Sequence, residues 1–147
     1  MSKKLRYMIL EEQSLILEYY SGQFCVDELI DFKRRIGKDK KFNPNFNVLS
    51  DIRELVFLFN PEEVKKYIQF LLENKKHIGI RKTAMITCTP NQLATSLGFD
   101  MLKDDLPVEF KIFSTFKSAF DFIRISAEER KELQTLFKKL KMHLNNP

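Results

Sequence analysis

The sequence predicts one α/β domain: a mostly parallel five-stranded mixed sheet, opened by a hairpin, with helices packed on it and an extra C-terminal helix. Three observations carry this. Short β-rich runs alternate with segments of helical periodicity in the order ββαβαβαβαα. A strand–helix–strand alternation after an initial hairpin builds a parallel sheet with one antiparallel strand near an edge. The chain has 147 residues, 44% of them hydrophobic and fourteen of them Phe, which is enough for a single core and too few for two domains.

Leu5 to Leu10 and Ser14 to Tyr20 are the hairpin strands, joined across the polar Glu11-Glu12-Gln13. After Ser21-Gly22, apolar residues recur at Cys25, Leu29, Phe32 and Ile36, which puts one helix face on a core, and Gly37 ends that helix. Asn43-Pro44-Asn45 is a turn before the third strand, Phe46 to Ile52. Asn60-Pro61-Glu62-Glu63 then reads as a helix start, with Asn as N-cap, Pro in the first turn and two carboxylates at the positive end of the dipole. Its apolar stripe is Val64, Tyr67, Ile68, Leu71 and Leu72, and the helix closes near Lys75-Lys76.

Thr83 to Cys88 is a short apolar run of the kind a buried strand needs. Thr89-Pro90-Asn91 starts a helix carrying Leu93, Ala94 and Leu97, which Gly98 is expected to end or distort. Val108 to Phe113 alternates as a fifth strand, and Ser114-Thr115 caps a short helix through Phe116, Ala119, Phe120 and Ile123. Ser126-Ala127-Glu128-Glu129 has the pattern of a capping box, opening a last helix with Leu133, Leu136, Phe137, Leu140 and Leu144 on one side. Residues 1–125 form the α/β unit, and residues 126–147 add an amphipathic helix to the same domain. That stripe either folds over the sheet or meets a second chain as a homodimer contact.

Four Gly and five Pro are scattered, so no linker divides the chain. The basic start, Met1 to Arg6, leads into an alternating segment unlike a signal peptide, and no apolar run approaches bilayer length. Cys25 and Cys88 stand outside any metal-ligand spacing, so neither a metal site nor a disulfide is expected, and a cytoplasmic setting fits. The net charge is +5, and the stretch from Lys33 to Lys41 holds six cations against Asp39. It lies at a helix C-terminus, as do Lys75-Lys76 and Lys138-Lys139-Lys141, where cations complement the dipole. A solvated face explains the cluster better than nucleic acid, for which no motif is present; a membrane surface has no further support.

In parallel sheets, ligands meet the carboxyl ends of the strands. Those ends offer Ser50, Asp51, Arg53 and Glu54, then Thr87, Cys88, Thr89 and Asn91, then Ser114 and Thr115, a polar rim suited to an anion or a partner loop. Each also has a structural task open to it: Asp51 and Arg53 as a pair, and Thr89, Ser114 and Thr115 as helix caps. Cys88 is the one candidate nucleophile, placed where a helix N-terminus lowers a thiol pKa. Its base is missing, because His77 and His143 are placed elsewhere, and no phosphate loop, nucleophile elbow or zinc-protease motif occurs. No cofactor is implied, and a small buried thiol is the simpler account.

Three segments, Phe46-Asn47-Val48-Leu49-Ser50-Asp51-Ile52-Arg53, Lys82-Thr83-Ala84-Met85-Ile86-Thr87 and Phe113-Ser114-Thr115-Phe116-Lys117-Ser118-Ala119-Phe120, resemble the STAS domain. The likeness is to the SpoIIAA-like proteins in particular, which are related in fold to the lipid-binding Sec14 (CRAL-TRIO) domains, and it spans Leu5 to Ile123 with the element order. It implies a non-enzymatic binding or regulatory module. In anti-sigma-factor antagonists of that family, a Ser in the loop before the second helix is phosphorylated by a partner kinase. This chain has Leu58-Phe59-Asn60-Pro61-Glu62-Glu63 there, with no hydroxyl, which departs from the switch.

The leading expectation is therefore a module that contacts a protein partner through Asn60, Glu62 and Glu63 and the rim residues Asp51, Arg53, Thr89, Asn91, Ser114 and Thr115. The alternative implied by the Sec14 relation is a carrier or sensor of a small apolar or lipid-like ligand, with Phe57, Phe59 and Phe116 near a pocket.

Overall fold

The computed structural model describes residues 3–57, 59–102 and 104–142, and the backbone alone at residues 77, 94, 97, 101 and 102. The expectations for Leu58, His143 and Leu144, and for the side chains of His77, Ala94 and Leu97, therefore lie outside the described residues. Five strands and five helices follow the expected order: β1 Lys4–Leu10, β2 Leu15–Phe24, α1 Val26–Gly37, β3 Asn47–Phe57, α2 Pro61–Glu73, β4 Arg81–Ile86, α3 Pro90–Leu102, β5 Val108–Phe113, α4 Phe116–Ile123 and α5 Ala127–Met142. A 3-10 turn, Lys75–His77, follows α2.

The sheet runs β1-β2-β3-β4-β5 in space, with β1 antiparallel to β2 and every other pair parallel. Because the strand order is sequential and crossovers are right-handed, α1, α2 and α3 fall on one face. On that face Val26, Ile30, Val64, Ile68 and Leu71 pack over Val108 and Phe110, and Phe32 and Ile36 pack over Ile16, Val48 and Ile52. The other face, Leu15, Leu17, Tyr19, Leu49, Ala84 and Ile86, is covered by α4 and α5 through Ala119, Phe120, Ile123, Leu133, Phe137 and Leu140. The stripe of the last helix thus folds over its own sheet. Cations from β1 close its C-terminal end: Arg6 donates to the Leu140 carbonyl at 2.7 Å and Lys4 to that of Lys141 at 3.1 Å.

Several boundaries differ from the sequence expectation, that of β4 among them, which lies two residues earlier at each end than Thr83 to Cys88. Ser14 sits in the hairpin turn at φ 52, not in a strand. β2 continues through Ser21-Gly22 to Phe24, because pairing to β1 and β3 on its two sides overrides the turn tendency; Gly22 supplies φ 95 inside the strand. Cys25 is the N-cap of α1, and Val26 takes the buried place expected for it. α3 runs on past Gly98 to Leu102.

β3 also outlasts its expected end at Ile52 by five residues, to Phe57. A bulge opposite Tyr20, between the pairs Tyr19↔Asp51 and Ser21↔Glu54, breaks the alternation that would have revealed this. Arg53 and Glu54 consequently both reach elements of the α4–α5 side, Arg53 over the Phe116 ring and Glu54 to Lys141.

Candidate functional site: a cavity between the sheet and the first three helices

β4 pairs only with Val48 to Asp51, so the second half of β3 is left with an open edge. Gln92 of α3 closes it. Its amide nitrogen donates to the carbonyls of Arg53 and Leu55, both at 2.8 Å, and its oxygen accepts from the N–H groups of Cys88 at 2.8 Å and Thr89 at 3.2 Å. Thr89 Oγ1 accepts in turn from the Gln92 N–H at 3.2 Å, a capping box over the start of α3. Asn91 adds a bond from the Phe57 N–H at 3.2 Å.

The rest of the expected rim is similarly engaged. Asp51 is buried and receives Arg53 in a bidentate pair, Nε to Oδ1 and Nη2 to Oδ2, both 2.9 Å. That hydrogen-bonded pairing holds the Arg53 guanidinium above its ordinary pKa. Thr115 caps α4 by accepting from the Ser118 N–H at 3.2 Å, and Ser114 beside it is exposed. Cys88 is exposed rather than the small buried thiol expected, because β4 ends at Ile86 and leaves it in the junction before α3, with its Sγ 3.3 Å from the Arg53 carbonyl. Asn60 and Glu63 cap α2 reciprocally, at 2.9 Å and 3.4 Å, while exposed Glu62 meets Lys65 at 3.4 Å. These side chains hold the strand-to-helix junctions together.

A different set of residues converges in the interior. Glu18 lies midway along β2, a central strand covered on both faces, and is 1% exposed. Lys33 reaches it from α1, with Nζ 2.6 Å from Oε1 and 2.5 Å from Oε2. The Tyr20 hydroxyl donates to the same carboxylate at 2.7 Å and the Ser50 hydroxyl at 2.9 Å. Burial pushes the Glu18 carboxyl up, but the Lys33 charge and the three donors outweigh it, and its pKa lies below the ordinary value. Lys33 thus leaves the solvated cation cluster in which its sequence position put it. Burial, reinforced by Glu18, raises the Tyr20 hydroxyl well above its usual range.

These groups form one wall of a cavity bounded by β2 to β5 and α1 to α3, about 80 Å³ inside and about 880 Å³ when its solvent-open mouth is counted. The other walls are apolar: Phe24, Leu29, Ile52, Leu55, Phe57, Phe59, Val64, Leu71, Phe99 and Phe110. Phe57 and Phe59 lie here in ring contact, with centroids 5.1 Å apart. Phe116 does not: it sits across the sheet against Phe120 and Phe137, because α4 packs on the opposite face. Arg81 and Thr83 of β4 complete the polar wall, and Arg81 Nε and Thr83 Oγ1 are buried without a hydrogen-bond partner among the described residues.

Glu18, Arg81 and Thr83 were not among the residues that the sequence singled out. One signal for Glu18 was present: a carboxylate inside Leu15-Ile16-Leu17-Glu18-Tyr19-Tyr20, a run apolar enough to be buried on both sides.

No protein-family profile matches the chain, and no curated protein matches it significantly. Among solved structures it is similar to an uncharacterized protein of the DUF3478 family with a SpoIIAA-like fold from Shewanella loihica PV-4, at 17% identity and a TM-score of 0.55. The match covers 84% of this chain and 96% of that one. No helix among the described residues is long and apolar enough to cross a membrane. The chain has a SpoIIAA-like fold: α/β, with a five-stranded mixed sheet and one antiparallel pair.

Proposed function

We propose that this SpoIIAA-like domain is a non-enzymatic binding module whose ligand is a small apolar or lipid-like molecule held between the sheet and α1–α3. The observation that carries the reading is the cavity itself. Native interiors are close-packed, and voids beyond the size of a water are few. Here a small space with an apolar lining and one polar wall, open at its mouth, persists between the sheet and α1–α3, and it is the lining that has the form of a small-molecule site. The small internal volume favours a slender, flexible molecule over a bulky ring system.

Contact with a protein partner through Asn60, Glu62 and Glu63 is supported less well, because Asn60 and Glu63 already satisfy the start of α2. Glu62, exposed and held only by Lys65 at 3.4 Å, is the side chain of the three that takes no part in the cap.

Native mass spectrometry tests the ligand reading. Purified protein, or protein incubated with hexadecanol, should carry a lipid-sized adduct, and Val64→Phe, which narrows the cavity, should lose it. A spectrum of bare protein under both conditions would remove the proposal.

A further inference from the structure

The polar wall of the cavity carries an uneven charge. Lys33 and Glu18 neutralise each other at 2.5 Å. Arg81 makes no close ion pair among the described residues, although the Glu18 carboxylate acts on its charge at longer range, and its Nε is buried without a hydrogen-bond partner among them. Thr83, two residues along the same strand and therefore on the same face, is 9% exposed, and its Oγ1 is likewise unpartnered. Leaving two such groups unsatisfied is unfavourable, and more so for a charged one. Native proteins seldom tolerate that unless something else completes the set.

We infer that the ligand of this cavity ends in a carboxylate, which binds the Arg81 guanidinium and the Thr83 hydroxyl. The inference rests on the ligand reading above and specifies its chemistry. A guanidinium matches a planar carboxylate with two parallel N–H···O bonds, and a threonine hydroxyl adds a third donor. One uncompensated cation calls for one negative charge, and the Glu18 carboxylate in the same wall repels a doubly charged head. A monoanion is therefore preferred over a phosphate monoester.

The test uses delipidated protein and a fluorescent polyene fatty acid, its methyl ester and hexadecyl phosphate as competitor. The acid is expected to bind at least ~10-fold tighter than the ester, which forfeits a charge-assisted pair worth about 1.5–3 kcal/mol. Arg81→Met should erase that preference while leaving ester binding intact, and Thr83→Val should reduce it. Arg81→Met should also leave the unliganded protein as stable as before or more so, since it removes a desolvated, unpaired cation. Equal binding of acid and ester by the native protein, or tighter binding of the alkyl phosphate, would overturn the carboxylate assignment while the cavity reading stands. Binding of none of the three would overturn both. Should Arg81→Met fail to fold, Thr83→Val decides: an unchanged acid preference contradicts the assignment.

Discussion

The Lys33 ammonium, on α1, lies within 2.6 Å of both oxygens of Glu18, a carboxylate buried in the second strand of the sheet. The bond ties the first crossover helix to the sheet through an ion pair inside the core. Removing one partner strands the other, so Lys33→Met is expected to cost about 3 kcal/mol in a urea titration. Glu18→Leu with Lys33→Met should cost less than the two single changes added together, by about 1–3 kcal/mol of coupling. Additive losses would show that the two charges do not interact in the folded state.

Acid should act through the same pair. The Glu18 pKa in the folded protein is below its ordinary 4.5, so between that value and the lower folded one the unfolded chain binds the extra proton. The stability from Glu18 is complete above pH 4.5 and is lost as the pH falls through the folded value. Denaturation midpoints measured from neutral pH down into this window should therefore fall more steeply for the native protein than for Glu18→Gln. Parallel profiles would assign acid sensitivity to other carboxylates.

Gln92 serves four backbone groups on one side chain. Gln92→Leu keeps the volume and strands the Arg53 and Leu55 carbonyls and the Cys88 and Thr89 amides, at an expected cost of about 2–4 kcal/mol. Amide exchange at Cys88 and Thr89 should accelerate together. Unchanged exchange would mean that water replaces the glutamine without loss.

At the start of α2, Asn60→Ala should lower stability by about 1 kcal/mol, and Asn60→Ser should be nearly neutral, as for an N-cap. A loss of partner capture in a pull-down by Glu62→Lys, with stability intact, would instead restore the protein-contact reading.

The element order along the chain, the antiparallel opening pair and the caps at Asn60 and Thr115 were all legible in the sequence, because each rests on local chemistry: periodicity, turn residues and N-cap acceptors. What escaped was set by tertiary partners. Ser21-Gly22 carries a turn signature, yet it is strand because β1 and β3 hold it from both sides. Arg53-Glu54 looks like a strand end, yet it follows a bulge, and Gln92 satisfies the carbonyls beyond it. The site was misplaced for the same reason. Side chains at the strand ends were visible as polar residues in loops, but their bonds to one another appear only when β3, α3 and α4 meet. Lys33 read as one cation of six in a basic stretch, and the helix turns it alone inward to Glu18.

The most direct test locates a bound chain. In methyl-labelled protein titrated with hexadecanoic acid, intermolecular nuclear Overhauser effects should join the acyl chain to the methyl groups of Ile52, Leu55, Val64 and Met85, which line the cavity. Contacts confined to the exposed methyls of Val56, Ile80 and Leu93 would place the chain on the outer surface and contradict an internal site.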